Sequence, residues 1–106
     1  MDLTTQKCVP CEVGGKPLTH DEVMKLAPQV PDWEIFDNRI IKKQFKFNDF
    51  KEAMLFTNKV AALAESEGHH PDMKIFYNKV LIELWTHAVK GLSENDFIVA
   101  AKINNL

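Results

Sequence analysis

Four histidines are the side chains of this 106-residue chain best suited to exchange protons near neutral pH, and three of them fall where they could converge. His69 and His70 follow Gly68 directly, and His87 closes an alternating apolar run further on. Glu65 stands one helical turn before His69. The end of a helix beside a carboxylate attracts positive charge, so an imidazole there can hold a proton for a departing oxygen. General acid/base catalysis is the chemistry this suggests. On residue types alone, the plainer reading comes first: His69-His70 as a solvated helix terminus, His87 as a strand-end histidine, and Asp96 as a carboxylate at a helix start. A three-histidine zinc site ranks low, because adjacent residues in extended chain point to opposite sides. His20 reads as a surface residue.

Cys8-Val9-Pro10-Cys11 is a lone C-x-x-C. It lacks two further ligands at a matching spacing for structural zinc, and it lacks the strand and helix that would frame a redox motif. The two cysteines read as reduced thiols in a loose N-terminal arm, with a metal shared between subunits as a remote alternative.

The elements that must position the histidines follow from periodicity and punctuation. Residues 1–17 hold Gly14, Gly15 and Pro17 with little periodicity, and read as an arm before a single domain over 18–106. Thr19 and Glu22 have capping-box spacing, with Val23, Leu26 and Ala27 on one helical face up to Pro28. Trp33 to Phe36 and Arg39 to Phe45 are β-prone runs around Asp37-Asn38, a pair that tolerates positive φ in a tight hairpin. Asn48 is placed to cap a second helix. Phe50, Ala53, Met54, Thr57, Val60, Ala61 and Ala64 mark its buried stripe, Gly68 its left-handed end, and Pro71 the bar to its resumption.

Met73 to Tyr77 and Val80 to His87 then read as two strands around Asn78-Lys79. Val80, Ile82, Leu84 and Thr86 form the core-facing set, opposite Leu81, Glu83, Trp85 and His87. Ser93 caps a last helix with Asp96 at its third position and Leu92 and Phe97 spaced as a hydrophobic staple. The order α-β-β-α-β-β-α predicts an α+β two-layer sandwich, with a four-stranded antiparallel sheet and its helices on one face.

Composition sets the outer limits. With 45% hydrophobic and 26% charged residues the chain is an ordinary globular domain, and a net charge of -2 offers no basic field for nucleic acid or anionic lipid. The longest apolar runs, Val60 to Ala64 and Phe97 to Ala101, are far shorter than the roughly 20 residues that cross a bilayer. With no apolar leader in its first residues, a cytoplasmic setting is the expectation.

What decides between the plain and the catalytic reading is a resemblance. Glu65-Ser66-Glu67-Gly68-His69-His70-Pro71, followed by Tyr77, His87 and Asp96, resembles the signature of the pterin-4a-carbinolamine dehydratases. Pro31-Asp32-Trp33, Tyr77-Asn78-Lys79-Val80, Thr86-His87 and Gly91-Leu92-Ser93-Glu94-Asn95-Asp96 are similar to the family as well, so the likeness runs from about Thr19 onward. It implies dehydration of 4a-hydroxytetrahydropterin to quinonoid dihydropterin plus water, in tetrahydropterin recycling for aromatic amino-acid hydroxylation. No metal or organic cofactor is implied. By the same resemblance His69 and His87 form the acid/base pair, and His70 binds and orients the pterin. Asp96 and Glu65 join the substrate-binding set as groups that hold histidine protonation states or meet pterin ring donors, Pro71 joins it too, Trp33 is either an apolar wall of the pocket or a core tryptophan, and Tyr77 is structural. At Leu81, Glu83 and Trp85 animal members carry smaller or more polar residues, which leaves the preferred pterin side chain open.

The implied partners are the pterin, further copies of the chain in a dimer or tetramer, and functional coupling to an aromatic amino-acid hydroxylase. The competing class is a binding module, since animal relatives also serve as a dimerisation cofactor for a homeodomain transcription factor. An apolar stripe left exposed on the long helix would favour that class.

Overall fold

The computed structural model describes residues 2–10 and 14–106. Its elements run α1 (His20–Leu26), β1 (Glu34–Phe36), β2 (Ile40–Lys46), α2 (Phe50–Glu67), β3 (Asp72–Phe76), β4 (Lys79–Leu84) and α3 (Glu94–Asn104). All strand pairs are antiparallel, in the order β1-β2-β4-β3. This is the expected α+β sandwich. Ile41, Val80, Ile82 and Leu84 are buried under Ala53 and Val60 of α2 and Phe97 and Val99 of α3 in one core. Among the described residues no helix is long and apolar enough to cross a membrane.

Local signals account for most boundaries. The Thr19 hydroxyl accepts from the Glu22 N–H while the Glu22 carboxylate accepts from the Thr19 N–H, closing the capping box of α1. Asp37 and Asn38 both have positive φ, and the Arg39 N–H donates to Phe36 O at 3.0 Å across them. Gly68 ends α2 in the left-handed conformation, φ 67°. At that angle a side chain would be strained, and Pro71 turns the chain towards β3.

Four expectations need correction. The cap of α2 is Asp49, whose carboxylate accepts from the Glu52 N–H; Asn48 instead donates its own N–H to the Glu52 carboxylate. The buried stripe of α2 is the narrower set Ala53, Thr57, Val60 and Ala64, leaving Phe50 and Ala61 exposed. The second hairpin turns at Tyr77-Asn78, one residue early, with Tyr77 at φ 47°. Finally, β4 stops at Leu84. Beyond it the Thr86 N–H donates to Gly91 O, so the chain folds back through a 3-10 turn, His87–Val89, that ends at Lys90 in the left-handed region. His87 therefore stands on a turn after the strand.

The arm is not loose over its described length. Leu3 sits fully buried in the core on a short 3-10 turn, Leu3–Thr5, and its N–H donates to the Gln29 side chain. Burying such a side chain contributes about 1.5–3 kcal/mol. Cys11 lies outside the described residues.

Candidate active site

The end of α2, the start of β3, the turn after β4 and the start of α3 meet around an open cavity of about 440 Å³, within the ~300–1,000 Å³ typical of small-molecule sites. His69, His70 and His87 all line it, together with Pro71 and Asp72. The αL end of α2 is what turns the two adjacent histidines out of the helix and over the cavity.

Their surroundings differ. His69 Nε2 lies 2.6 Å from Asp96 Oδ1, with the carboxylate fully buried and the His69 side chain 12% exposed. The other oxygen of Asp96 accepts from the Thr86 hydroxyl at 2.8 Å and from the Ser93 N–H at 3.0 Å. The capping role expected of Asp96 and a grip on His69 are thus performed by two oxygens of one carboxylate. Hydrogen bonds to a buried charge contribute about 1.5–3 kcal/mol each, so this arrangement is rigid. His70 Nε2 lies 2.7 Å from Glu65 Oε1, but these side chains are 63% and 79% exposed. An exposed pair of this kind contributes only about 0–1 kcal/mol.

His87 is exposed and stacks on Trp85, with ring centroids 3.7 Å apart and planes inclined by 34°. Trp85 in turn directs its indole N–H towards Asp72 Oδ2 at 3.4 Å. The stack braces one face of the imidazole while the residue stays exposed. Trp85 was legible only as a strand-face neighbour of His87; its period-two spacing was the signal for the stack. Glu83 faces Lys74 across the strands at 3.8 Å, and Leu81 is half-buried on the outer sheet face.

Trp33 is not brought to this cavity. It is buried in the core, edge-on to Phe45, and its indole N–H donates to Asn104 Oδ1 at 3.0 Å. A large ring in a single small core is explained by packing, so of the two readings of Trp33 the structure supports the core one. His20 stays on the surface with its Nδ1 3.1 Å from Asn38 Oδ1. Among the described residues, no three His, Cys, Asp or Glu side chains cluster where they could hold a metal ion.

Sequence reasoning missed the arm. Val9 and Pro10 line the same cavity, with Asn95 and Ala88. Next to them the Cys8 N–H donates to Glu67 Oε1 at 3.0 Å, and Lys102 reaches Glu67 Oε2 at 2.6 Å. These two donors, the Cys8 amide first, hold the Glu67 carboxyl below the usual carboxylate range. Burial, reinforced by the charge of Glu67, pushes the Cys8 thiol up to about 12, so it stays protonated and unreactive at neutral pH.

Comparison with known proteins places this geometry in context. The family model for pterin 4 alpha carbinolamine dehydratase matches residues 16–106. Proteins bearing the name pterin-4-alpha-carbinolamine dehydratase from Alkaliphilus metalliredigens and Nitrosococcus oceani are 44% and 46% identical, over 97% and 99% of this chain and 94% and 96% of theirs. A solved structure of a transcriptional coactivator/pterin dehydratase from Brucella melitensis superposes with a TM-score of 0.79 at 35% identity, covering 85% of this chain and 97% of that one. A pterin dehydratase-like RuBisCO assembly factor of the alpha-carboxysome shares the fold, with a TM-score of 0.60 at 24% identity over 70% of this chain and 87% of that one.

Proposed function

The chain belongs to the pterin-4a-carbinolamine dehydratase family and is a hydro-lyase of that kind; from this premise we propose that it dehydrates 4a-hydroxytetrahydropterin by histidine acid/base catalysis. The observation that carries the mechanism is the contact of His69 with buried Asp96 at the wall of a cavity shared by His70 and His87. Asp96 accepts the Nε2–H of His69, which leaves the lone pair of Nδ1 as the basic position of the neutral ring. His69 takes the N5 proton of the substrate through that nitrogen, and the positive ring so formed sits against the Asp96 carboxylate. His87, stacked but exposed, delivers a proton to the 4a-hydroxyl and is replenished from water.

The C4a–O bond breaks, water leaves, and the N5 electron pair closes the C4a=N5 bond. One proton is given and one is taken, so the pair of histidines returns to its starting charge once the protons re-equilibrate with water. His70, held by Glu65, orients the ring. The substrate is of the kind released by aromatic amino-acid hydroxylation, which makes a hydroxylase the functional partner.

Stopped-flow dehydration of the 4a-carbinolamine tests this reading. Wild-type protein accelerates the reaction and His87→Ala lowers kcat by about a hundredfold, the share of one acid/base group. A wild-type protein without effect on the rate overturns it.

Self-association is proposed on separate grounds. Phe36, Ile75, Phe76 and Tyr77 are exposed on β1, β3 and the turn after β3, and β3 is an edge strand. Such an edge with apolar side chains invites pairing. Sedimentation equilibrium gives a mass above one chain, and a monomer at tens of micromolar contradicts the proposal.

A further inference from the structure

We infer that the N-terminal arm is a wall of the substrate site and that Asn95 is the positioning residue that holds it there; the inference rests on the dehydratase reading. Val9 is 65% exposed, yet its main chain is fixed. The Asn95 side chain accepts the Val9 N–H at 3.0 Å and donates to Val9 O at 2.6 Å, so one buried amide bridges both polar groups of the residue. The Cys8 N–H is held by Glu67 at the end of α2, and the Cys8 thiol leans towards Asn95 O at 3.7 Å. Two consecutive arm residues are therefore fastened to the helices that supply His69 and Asp96.

The chemistry of the wall follows from what is left over. Both polar main-chain groups of Val9 are occupied by Asn95, and Pro10 has no N–H to offer. Val9 thus presents an isopropyl group and Pro10 a ring to the cavity that also holds the histidines. These apolar groups offer the substrate contact by shape, beside histidines that can read its polar atoms. The family model covers residues 16–106, which hold the histidines, while the relatives from Alkaliphilus metalliredigens and Nitrosococcus oceani align over 97% and 99% of the chain, so the arm lies outside the family model but is largely shared with such relatives. An apolar wall beside the reacting histidines sets which ring substituent fits, through ground-state contact that raises or lowers KM.

The test compares KM and kcat for two 4a-hydroxytetrahydropterins, one carrying a 6-methyl group and one a longer 6-alkyl substituent. Asn95→Ala raises KM about tenfold by releasing a preorganised wall, and Val9→Ala raises it about threefold by thinning one, each with kcat within twofold of wild type. Asn95→Asp keeps the acceptor for the Val9 N–H but sets a carboxylate oxygen against Val9 O, and raises KM at least as much as Asn95→Ala. The two substrates shift by different factors. Val9→Ala, at an exposed side chain, leaves folding intact and keeps the test valid if Asn95→Ala proves unstable. Wild-type turnover with unchanged KM in Val9→Ala and Asn95→Asp overturns the arm's role alone; absence of turnover in wild type overturns the dehydratase reading and the arm's role with it.

Discussion

His69 and His70 are neighbours in the chain, each with a carboxylate at nearly the same distance, 2.6 and 2.7 Å, and yet they occupy opposite physical regimes. Asp96 has no exposure to water and spends its second oxygen on Thr86 and Ser93, so His69 is held in ring position. Glu65 and His70 are mostly in water, where the same contact is screened and competes with side-chain entropy. Distance alone does not rank the two pairs. Burial and the remaining hydrogen bonds do, and in the proposed mechanism they suit the enclosed pair to proton transfer and the exposed one to adjustable ligand contact.

The largest break in this comparison comes from Asp96→Asn. An amide whose oxygen faces Ser93 and Thr86 turns its NH2 towards His69 and forces the proton onto Nδ1, while the opposite orientation sets NH2 against the Ser93 N–H. Either outcome damages the site. We expect kcat to fall about a hundredfold and stability by about 2–3 kcal/mol, read by stopped-flow and urea denaturation.

The next effect concerns the clamp behind the site. Glu67 has a lowered carboxyl value in the folded chain, so its contribution to stability is complete above the ordinary unfolded carboxylate range, near pH 4.5, and is lost as pH falls through the folded value. Glu67→Gln therefore costs about 1–2 kcal/mol at pH 7 and flattens the acid limb of the stability profile, measured as Tm against pH. A full acid limb in that variant contradicts the assignment. The smallest effect is at the exposed pair. Glu65→Gln changes KM less than about threefold and stability by under about 1 kcal/mol. A larger destabilisation there would erase the contrast with Asp96.

Much of this was legible along the chain because it rests on local chemistry. The Thr19-Glu22 capping box, the positive-φ pair Asp37-Asn38 and the Gly68 stop are each written within a few residues, and the Gly68 stop is what delivers His69 and His70 to the cavity. Asp96 was visible as a cap and, by family likeness, as a carboxylate that could hold a histidine's protonation state; which histidine it meets was not, since nothing in sequence says that His69 lies across from it. The end of β4 was misplaced for a similar reason: the Thr86–Gly91 bridge is decided by a pairing and a left-handed Lys90 that the apolar alternation does not record. For Trp33 family likeness left pocket wall and core both open, and its partners Phe45 and Asn104 place it in the core. The arm was the least legible part. Its anchors, Leu3 in the core and Val9 on Asn95, are long-range contacts without periodicity.

The central claim is that adjacent histidines divide the work, and single-turnover dehydration of 4a-hydroxytetrahydropterin by His69→Ala and His70→Ala, measured side by side, tests it most directly. The account predicts about a hundredfold loss of kcat for His69→Ala with little change in KM, and for His70→Ala a raised KM with kcat within about tenfold of wild type. Equal losses of kcat in the two variants, or the larger loss in His70→Ala, would contradict it.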